Sequence, residues 1–85
     1  MDKAEAIFKA GQLATYERPS RRLFYDGNEI KEERCTSFFT AEERRQLAFG
    51  DEDTNFWLLQ AYEDRRHDWL QEGLNSLLNM PGGVK

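Results

Sequence analysis

The chain has 85 residues, of which 39% are hydrophobic and 33% charged, and its formal net charge is -4 at pH 7. These values are typical of one globular domain rather than of a disordered chain, and the negative charge argues against a general affinity for phosphate backbones. The single cysteine, Cys35, excludes an internal disulfide. The sequence shows neither a signal peptide nor an apolar run of the ~20 residues that cross a bilayer, so we expect a reducing cytoplasm.

The first predicted element is a helix that begins at Asp2. Asp2 followed by Glu5 has the spacing of a capping box, and apolar residues then recur at helical spacing. Because Gly11 is a natural helix end, we expect a strand over residues 12–17; the alternative is a helix that runs through Gly11 as far as Tyr16. A proline then marks a turn, since it lacks an amide donor.

An Asp-Gly dipeptide at positions 26–27 gives the clearest local signal, a two-residue hairpin turn between two short strands. This register places Leu23 opposite Ile30, on the same face of the hairpin as Tyr25. Because that face is the more apolar one, we expect a helix to cover it.

The chain after the hairpin is expected to be extended over residues 36–39. Thr40 and Glu43 then form a second capping box, which opens a short helix that ends before Gly50.

The last predicted element is one long helix over residues 54–80, preceded by the acidic residues 51–53 and stopped by Pro81. At ~1.5 Å per residue it would span roughly 39 Å, whereas a compact chain of this length has a diameter near ~30 Å. The helix must therefore break near residues 63–68 or protrude from the domain.

Together these elements predict an α+β fold in one small domain over residues 1–80. Its parts are an N-terminal helix, a short antiparallel β-hairpin or three-stranded meander, a short helix and a long C-terminal helix. Residues 81–85, which contain two glycines, are expected to form a flexible C-terminal tail.

The far half of the long helix carries an apolar stripe at helical spacing. Such a stripe is most often the core-facing side of a helix that folds against its own domain. The excess length of the helix favours a second interpretation, a seam with a second copy or another partner, whose register polar residues within the stripe would set. The predicted seam residues are Trp69, Leu70, Leu74, Leu77 and Leu78.

The acidic turn matches the residue pattern of a calcium-binding loop only in part. Asp51, Asp53 and Asn55 have the spacing of its first three ligands. Phe56 stands where the loop requires glycine, and Tyr62 stands where it requires a bidentate carboxylate. We therefore expect helix capping rather than metal binding.

Cys35 and His67 are of the types that serve as nucleophile and base, but the sequence supplies neither the orienting third group nor the pocket that such a pair requires. The six glycines are scattered rather than gathered in a phosphate-binding loop. We therefore expect a non-enzymatic protein with no cofactor, no metal and no small-molecule substrate.

The short helix, turn and long helix resemble a helix-turn-helix in outline, with Thr54 and Asn55 where base contacts would be made. The acidic residues 51–53 would then face the phosphates, and no basic cluster follows them. A DNA-binding regulator that uses residues 41–62 is thus the alternative function.

The leading hypothesis is a small, acidic cytoplasmic protein that binds another protein as an adaptor or inhibitor and acts as a homodimer, with neither nucleic acid nor membrane as a partner. The helix, hairpin, helix order resembles that of small phage head-to-tail joining proteins and phage inhibitors in arrangement and size, without a shared motif. That resemblance implies a third possibility, a structural subunit of a larger phage-like assembly. Arginine suits protein interfaces because it pairs with carboxylates and stacks on aromatic rings. The predicted recognition surface is Arg18, Arg21, Arg22 and Tyr25.

Overall fold

The computed structural model describes residues 2–81, which form three helices and one two-stranded antiparallel sheet. The elements in chain order are α1 (Lys3–Thr15), β1 (Ser20–Tyr25), β2 (Ile30–Cys35), α2 (Ala41–Phe49) and α3 (Glu52–Leu78). The predicted α+β class and the order of elements are confirmed, with a hairpin rather than a three-stranded meander. Apart from Pro81, the expected C-terminal tail lies outside the described residues.

The first helix is longer than the sequence predicted. α1 runs through Gly11 to Thr15, so the strand expected over residues 12–17 is wrong and the alternative of a longer helix is confirmed. Leu13 gives the physical reason, because it completes the buried stripe of α1 together with two alanines. Burying a leucine contributes ~1.5–3 kcal/mol, more than the ~1 kcal/mol that a glycine costs inside a helix.

Each of the three described helices begins at a side-chain cap. Asp2 and Thr40, the two predicted caps, accept hydrogen bonds from backbone amides three residues later, at 2.8 and 3.1 Å. α3 begins two residues earlier than predicted because Asp51 caps it, with Oδ1 2.7 Å from the Thr54 amide. The acidic residues thus lie at the positive end of the helix dipole, which they stabilise.

The last helix does not break, and its second half extends beyond the hydrophobic core and supports the hairpin. α3 is a single helix of 27 residues and is uninterrupted near residues 63–68. The molecule measures 49 × 22 × 15 Å along its principal axes, and its radius of gyration of 16.0 Å exceeds the ~12 Å of a compact chain of this length.

The hydrophobic core lies at one end of this elongated molecule, where α1 and α2 pack against the first half of α3. Tyr62 packs on its margin and stacks on Phe39, with the ring centroids 5.6 Å apart. A core this small stabilises a domain only weakly, so polar contacts between elements carry more weight here than in larger proteins. The buried core residues are Ala6, Ala10, Leu13, Phe39, Leu47, Leu58 and Leu59.

The hairpin loop spans residues 26–29, so the predicted two-residue turn is wrong. The Asp26 carboxylate accepts hydrogen bonds from two loop amides, at 2.9 and 3.0 Å, and the loop glycine has a φ of 102°. The longer loop shifts the register, which pairs Tyr25 with Ile30 where the sequence predicted Leu23 opposite Ile30.

The free edge of β1 is sealed against the second half of α3. The Tyr25 amide donates a hydrogen bond to Ser76 Oγ at 2.9 Å. The Leu23 carbonyl oxygen lies so close to Gly73 that a Cβ atom there would be 2.7 Å from it. α3 therefore covers a strand edge that would otherwise be open to pairing with another chain.

The hairpin face that meets α3 is the opposite of the one we expected. Neighbouring residues of a strand point to opposite faces, and Arg22 lies over the Trp69 ring of α3. Leu23 therefore points away from that contact, and Leu23 and Ile30 are 53% and 51% exposed. The prediction of a covered apolar face is wrong, because the contact with α3 is made by an arginine and a strand edge.

Candidate functional site

Six of the eight arginines stand in three adjacent pairs, and in each pair one guanidinium is turned inward and donates to a backbone carbonyl of another part of the chain. The inward contacts are Arg22 to Trp69 O at 2.6 Å, Arg44 to Leu13 O at 2.8 Å and Arg65 to Phe38 O at 2.7 Å. Each inward arginine also pairs with a carboxylate. The other members, which are exposed, are Arg21, Arg45 and Arg66. The inward arginines hold the elements together, and the outward ones lie at the surface.

Arg44 pairs with the most deeply buried carboxylate of these contacts. Its Nη2 atom lies 3.0 Å from Glu17 Oε2, and the Glu17 side chain is 2% exposed. Glu17 also accepts hydrogen bonds from the Ser37 hydroxyl and, at 2.9 Å, from the Phe38 amide. The connector between α1 and β1 is therefore anchored to α2 and to the segment that precedes it.

Arg65 and Glu43 join α3 to α2 by two parallel hydrogen bonds, both 2.8 Å long. Hydrogen bonds from Arg65, and then the backbone amide of Thr40, lower the pKa of Glu43 to about 2 from its ordinary value of 4.5. Glu43 is thus ionised at neutral pH, and it serves the capping box of α2 and the ion pair at once.

The predicted recognition residues lie on two different sides of the hairpin. Arg22 is not exposed as expected, since its side chain is only 15% exposed and its guanidinium lies 4.5 Å from the Trp69 ring centroid. Tyr25 is half-buried and its hydroxyl donates to a loop carbonyl at 2.8 Å. Arg18 and Arg21 are exposed. The strand alternation in the sequence contained this signal, because two adjacent strand residues cannot share a face.

Arg18 and Arg21 line a cleft of about 780 Å³ between the end of α1, the connector to β1 and the middle of α3. We call it the basic cleft. Its charged residues are Lys9, Arg18, Arg21, Glu63 and Arg66, and Tyr16 and Tyr62 contribute aromatic walls. Sequence reasoning missed its members on α1 and α3, because only the packing of distant segments brings them to one site.

The charges of the basic cleft are only partly neutralised. Lys9 pairs with Glu63 at 3.2 Å, and Arg21 lies 3.7 Å from a carboxylate of β2. Within residues 2–81, neither Arg18 nor Arg66 forms an ion pair. Arg66 Nε instead donates to a serine hydroxyl at the start of β1, at 3.1 Å.

The predicted seam residues divide between two flanks of α3. Trp69 faces inward, where its ring meets the Phe38 ring edge-on at 5.7 Å, so it does not belong to an exposed seam. Leu74 and Leu78 are 50% and 60% exposed. The remaining two leucines of the seam, at positions 70 and 77, are half-buried.

The exposed face of the hairpin and the leucines of α3 turn toward the same side. At ~100° per residue, Trp69 and Glu72 lie on one flank of Gly73, and the leucines lie on the other. Arg22 contacts the first flank, so the opposite hairpin face is directed toward the leucine flank. We call this surface the apolar corner, and it consists of Leu23, Ile30, Leu70, Leu74, Leu77 and Leu78.

The residues considered for DNA contacts lie at the start of α3. The backbone amide of Thr54 donates to the cap of α3, and Asn55 is half-buried with its Oδ1 atom out of solvent and without a hydrogen-bond partner among residues 2–81. The surface around this turn carries the exposed carboxylates of residues 51–53.

Across residues 2–81, no three side chains among His, Cys, Asp and Glu are grouped so as to hold a metal ion. No helix within this range combines the length and the apolar character needed to cross a membrane. Cys35 lies at the end of β2 and donates to a nearby carbonyl at 3.2 Å, whereas His67 is exposed on α3.

Comparison with protein families, with curated proteins and with solved structures finds no match to this chain. The candidate site consists of a basic cleft beside an apolar corner, both along one side of α3.

Proposed function

We propose that the chain is a small non-enzymatic cytoplasmic protein that binds another protein, as an adaptor or inhibitor, and that it acts as a homodimer through the apolar corner. The observation that carries this proposal is the exposure of four large aliphatic side chains, two on the hairpin and two on the second half of α3. Apolar surfaces bordered by charged residues are characteristic of protein interfaces. The four are Leu23, Ile30, Leu74 and Leu78.

The shape of the molecule supports a twofold contact at this surface. The apolar corner lies in the half of α3 that is remote from the core, so a second copy can approach without displacing α1 or α2. A twofold axis near Leu74 would place the same leucines of both copies against each other, which is how self-complementary interfaces form.

Sedimentation equilibrium on the wild type and on Leu74→Asp tests the homodimer. We expect the wild type to dimerise at high micromolar concentration and Leu74→Asp to be a folded monomer, because a carboxylate in the seam would lose its hydration on association. Ile7→Asp is the matched control: Ile7 is also an aliphatic helix residue, it is 55% exposed and it lies on α1. We expect this variant to dimerise like the wild type.

Two outcomes would contradict the homodimer. One is a wild type that stays monomeric at high micromolar concentration. The other is loss of folding in Leu74→Asp, judged by circular dichroism, together with normal dimerisation of Leu78→Asp, because the stripe would then be ordinary core.

Salt dependence separates this proposal from the DNA-binding alternative. An apolar seam should respond little to salt, whereas binding through several phosphates weakens steeply as salt rises. The DNA alternative through residues 41–62 is the weaker one, because the exposed carboxylates of residues 51–53 would face the phosphates. A structural subunit of a larger assembly would show open-ended growth with concentration rather than a closed dimer.

A further inference from the structure

We infer that the basic cleft binds a short acidic segment of the partner protein, with the partner's carboxylates paired to Arg18, Arg21 and Arg66. This inference rests on the proposed function, because it names the class of segment that a protein-binding chain would recognise. It is independent of the homodimer, since every residue of the cleft belongs to one copy.

The first argument is the charge of the cleft. Three guanidinium groups line one cavity, and none of them has a carboxylate closer than 3.7 Å within residues 2–81. The one acidic group in the cleft, Glu63, already pairs with Lys9 at 3.2 Å. Like charges in one cavity repel each other, so bound carboxylates would stabilise the site. The rest of the chain is acidic enough to give a net charge of -4, which makes this cleft a local exception.

The second argument is that the cleft is held in place before any ligand binds. Arg66 Nε donates to Ser20 Oγ at 3.1 Å. The connector that carries Arg18 is anchored by Glu17, which is buried against Arg44. Groups ordered in advance lose less conformational entropy when a partner binds.

The third argument is size and shape. A cleft of about 780 Å³ accommodates a few residues of an extended chain or one turn of helix, but not a folded domain. Tyr16 is 69% exposed at its rim and offers an aromatic surface beside the arginines. Arg66 stands one helical turn before Leu70, so the cleft lies next to the apolar corner along α3.

The surroundings favour a protein segment over nucleic acid. Guanidinium groups match carboxylates and phosphates alike through paired hydrogen bonds. A long polyanion extending beyond the cleft would meet exposed carboxylates such as that of Glu32 on β2. A short acidic segment that ends within the cleft avoids this repulsion.

The test is a fluorescence anisotropy titration of the full chain with a defined probe, a fluorescein-labelled peptide of four glutamates. The control peptide carries four glutamines in place of the glutamates. We expect the glutamate peptide to bind about tenfold more tightly than the glutamine peptide, and we expect the Arg18→Gln/Arg21→Gln double variant to lose about that factor. Arg45→Gln is the matched control, because Arg45 is an outward arginine whose side chain is 71% exposed on α2, outside the cleft.

Several results would overturn the inference. These are equal binding of the two peptides, an equal loss in Arg45→Gln, no binding of the glutamate peptide below about 1 mM, or tighter binding of a single-stranded oligonucleotide of equal charge. The same titration on Leu74→Asp separates the two proposals. Peptide binding by a monomeric wild type would contradict only the homodimer proposal. Dimerisation without peptide binding would contradict only the proposal for the basic cleft.

Discussion

Arg44 and Arg45 are neighbours in the sequence, yet they have opposite roles in the structure. Arg44 neutralises the buried Glu17 carboxylate, whereas Arg45 pairs with Glu42 at the surface, where both side chains are about two-thirds exposed or more. Removing one partner of a buried pair leaves an uncompensated charge and costs about 3 kcal/mol or more, while an exposed pair is worth less than about 1 kcal/mol. We therefore expect Arg44→Gln to lower the free energy of unfolding strongly and Arg45→Gln to leave it nearly unchanged. Urea unfolding at neutral pH measures both variants, and equal effects would contradict the inward assignment of Arg44.

Glu43 makes the stability of the protein dependent on pH. The pKa of Glu43 is about 2 in the folded chain, below its ordinary value of 4.5. The main cause is the pair of hydrogen bonds from Arg65. A carboxylate whose pKa is lowered by folding contributes stability above its unfolded pKa, and this contribution is lost as pH falls through the folded pKa. We expect Glu43→Gln to be less stable than the wild type at neutral pH and the difference to shrink between about pH 5 and about pH 2. Thermal unfolding across this range measures it, and a constant difference would contradict the role of the charge.

At the scale of elements, two glycines within helices serve different purposes. Gly11 lies on the exposed side of α1, where an added Cβ would meet nothing within 4 Å. At Gly73 a Cβ would lie 2.7 Å from the Leu23 carbonyl oxygen and 2.9 Å from Arg22 Cδ, so the hairpin would have to move. Alanine favours a helix over glycine by ~1 kcal/mol.

We therefore expect Gly11→Ala to raise the free energy of unfolding by about 0.5–1 kcal/mol. Gly73→Ala should lower it despite the same gain in helix propensity, because the substitution separates β1 from α3. Hydrogen exchange of the Tyr25 amide, which donates to Ser76, reports that separation directly. Stabilisation by both substitutions would mean that the hairpin is not seated closely on α3.

Local signals predicted most elements of this fold, because caps and breakers act over a few residues. The caps Asp2 and Thr40 function as the sequence indicated. The prediction failed at Gly11 because the burial of Leu13, a contact between distant segments, outweighs a local preference. The prediction failed at the hairpin because an Asp-Gly dipeptide is compatible both with a two-residue turn and with a four-residue loop.

The candidate site was less accessible to sequence reasoning than the fold. Arg18 and Arg21 stood out as a local cluster, and both are exposed. Lys9 and Arg66 join them only because α1 crosses α3, with a separation in sequence that no periodicity reveals. The exclusion of Trp69 from the seam likewise required its contact with Arg22.

At the scale of the whole molecule, α3 serves as a common support for two separate structures. The hydrophobic core covers its first half, and the hairpin seals its edge against the second half through Gly73 and Ser76. This division leaves one side of α3 open between α1 and the hairpin, and both proposed contact surfaces lie there. The elongated shape therefore accounts for the proximity of the basic cleft to the apolar corner.

Small-angle scattering of the Leu74→Asp variant tests this shape in solution. A monomer with an unbroken α3 should have a radius of gyration near 16.0 Å, whereas a chain whose helix folds back near residues 63–68 should approach the ~12 Å of a compact domain. The wild type, if dimeric, should give a larger value than the variant, and Ile7→Asp should match the wild type. A radius of gyration near the compact limit for Leu74→Asp would contradict the extended helix. It would also contradict the proximity of the basic cleft to the apolar corner, because both surfaces depend on one straight α3.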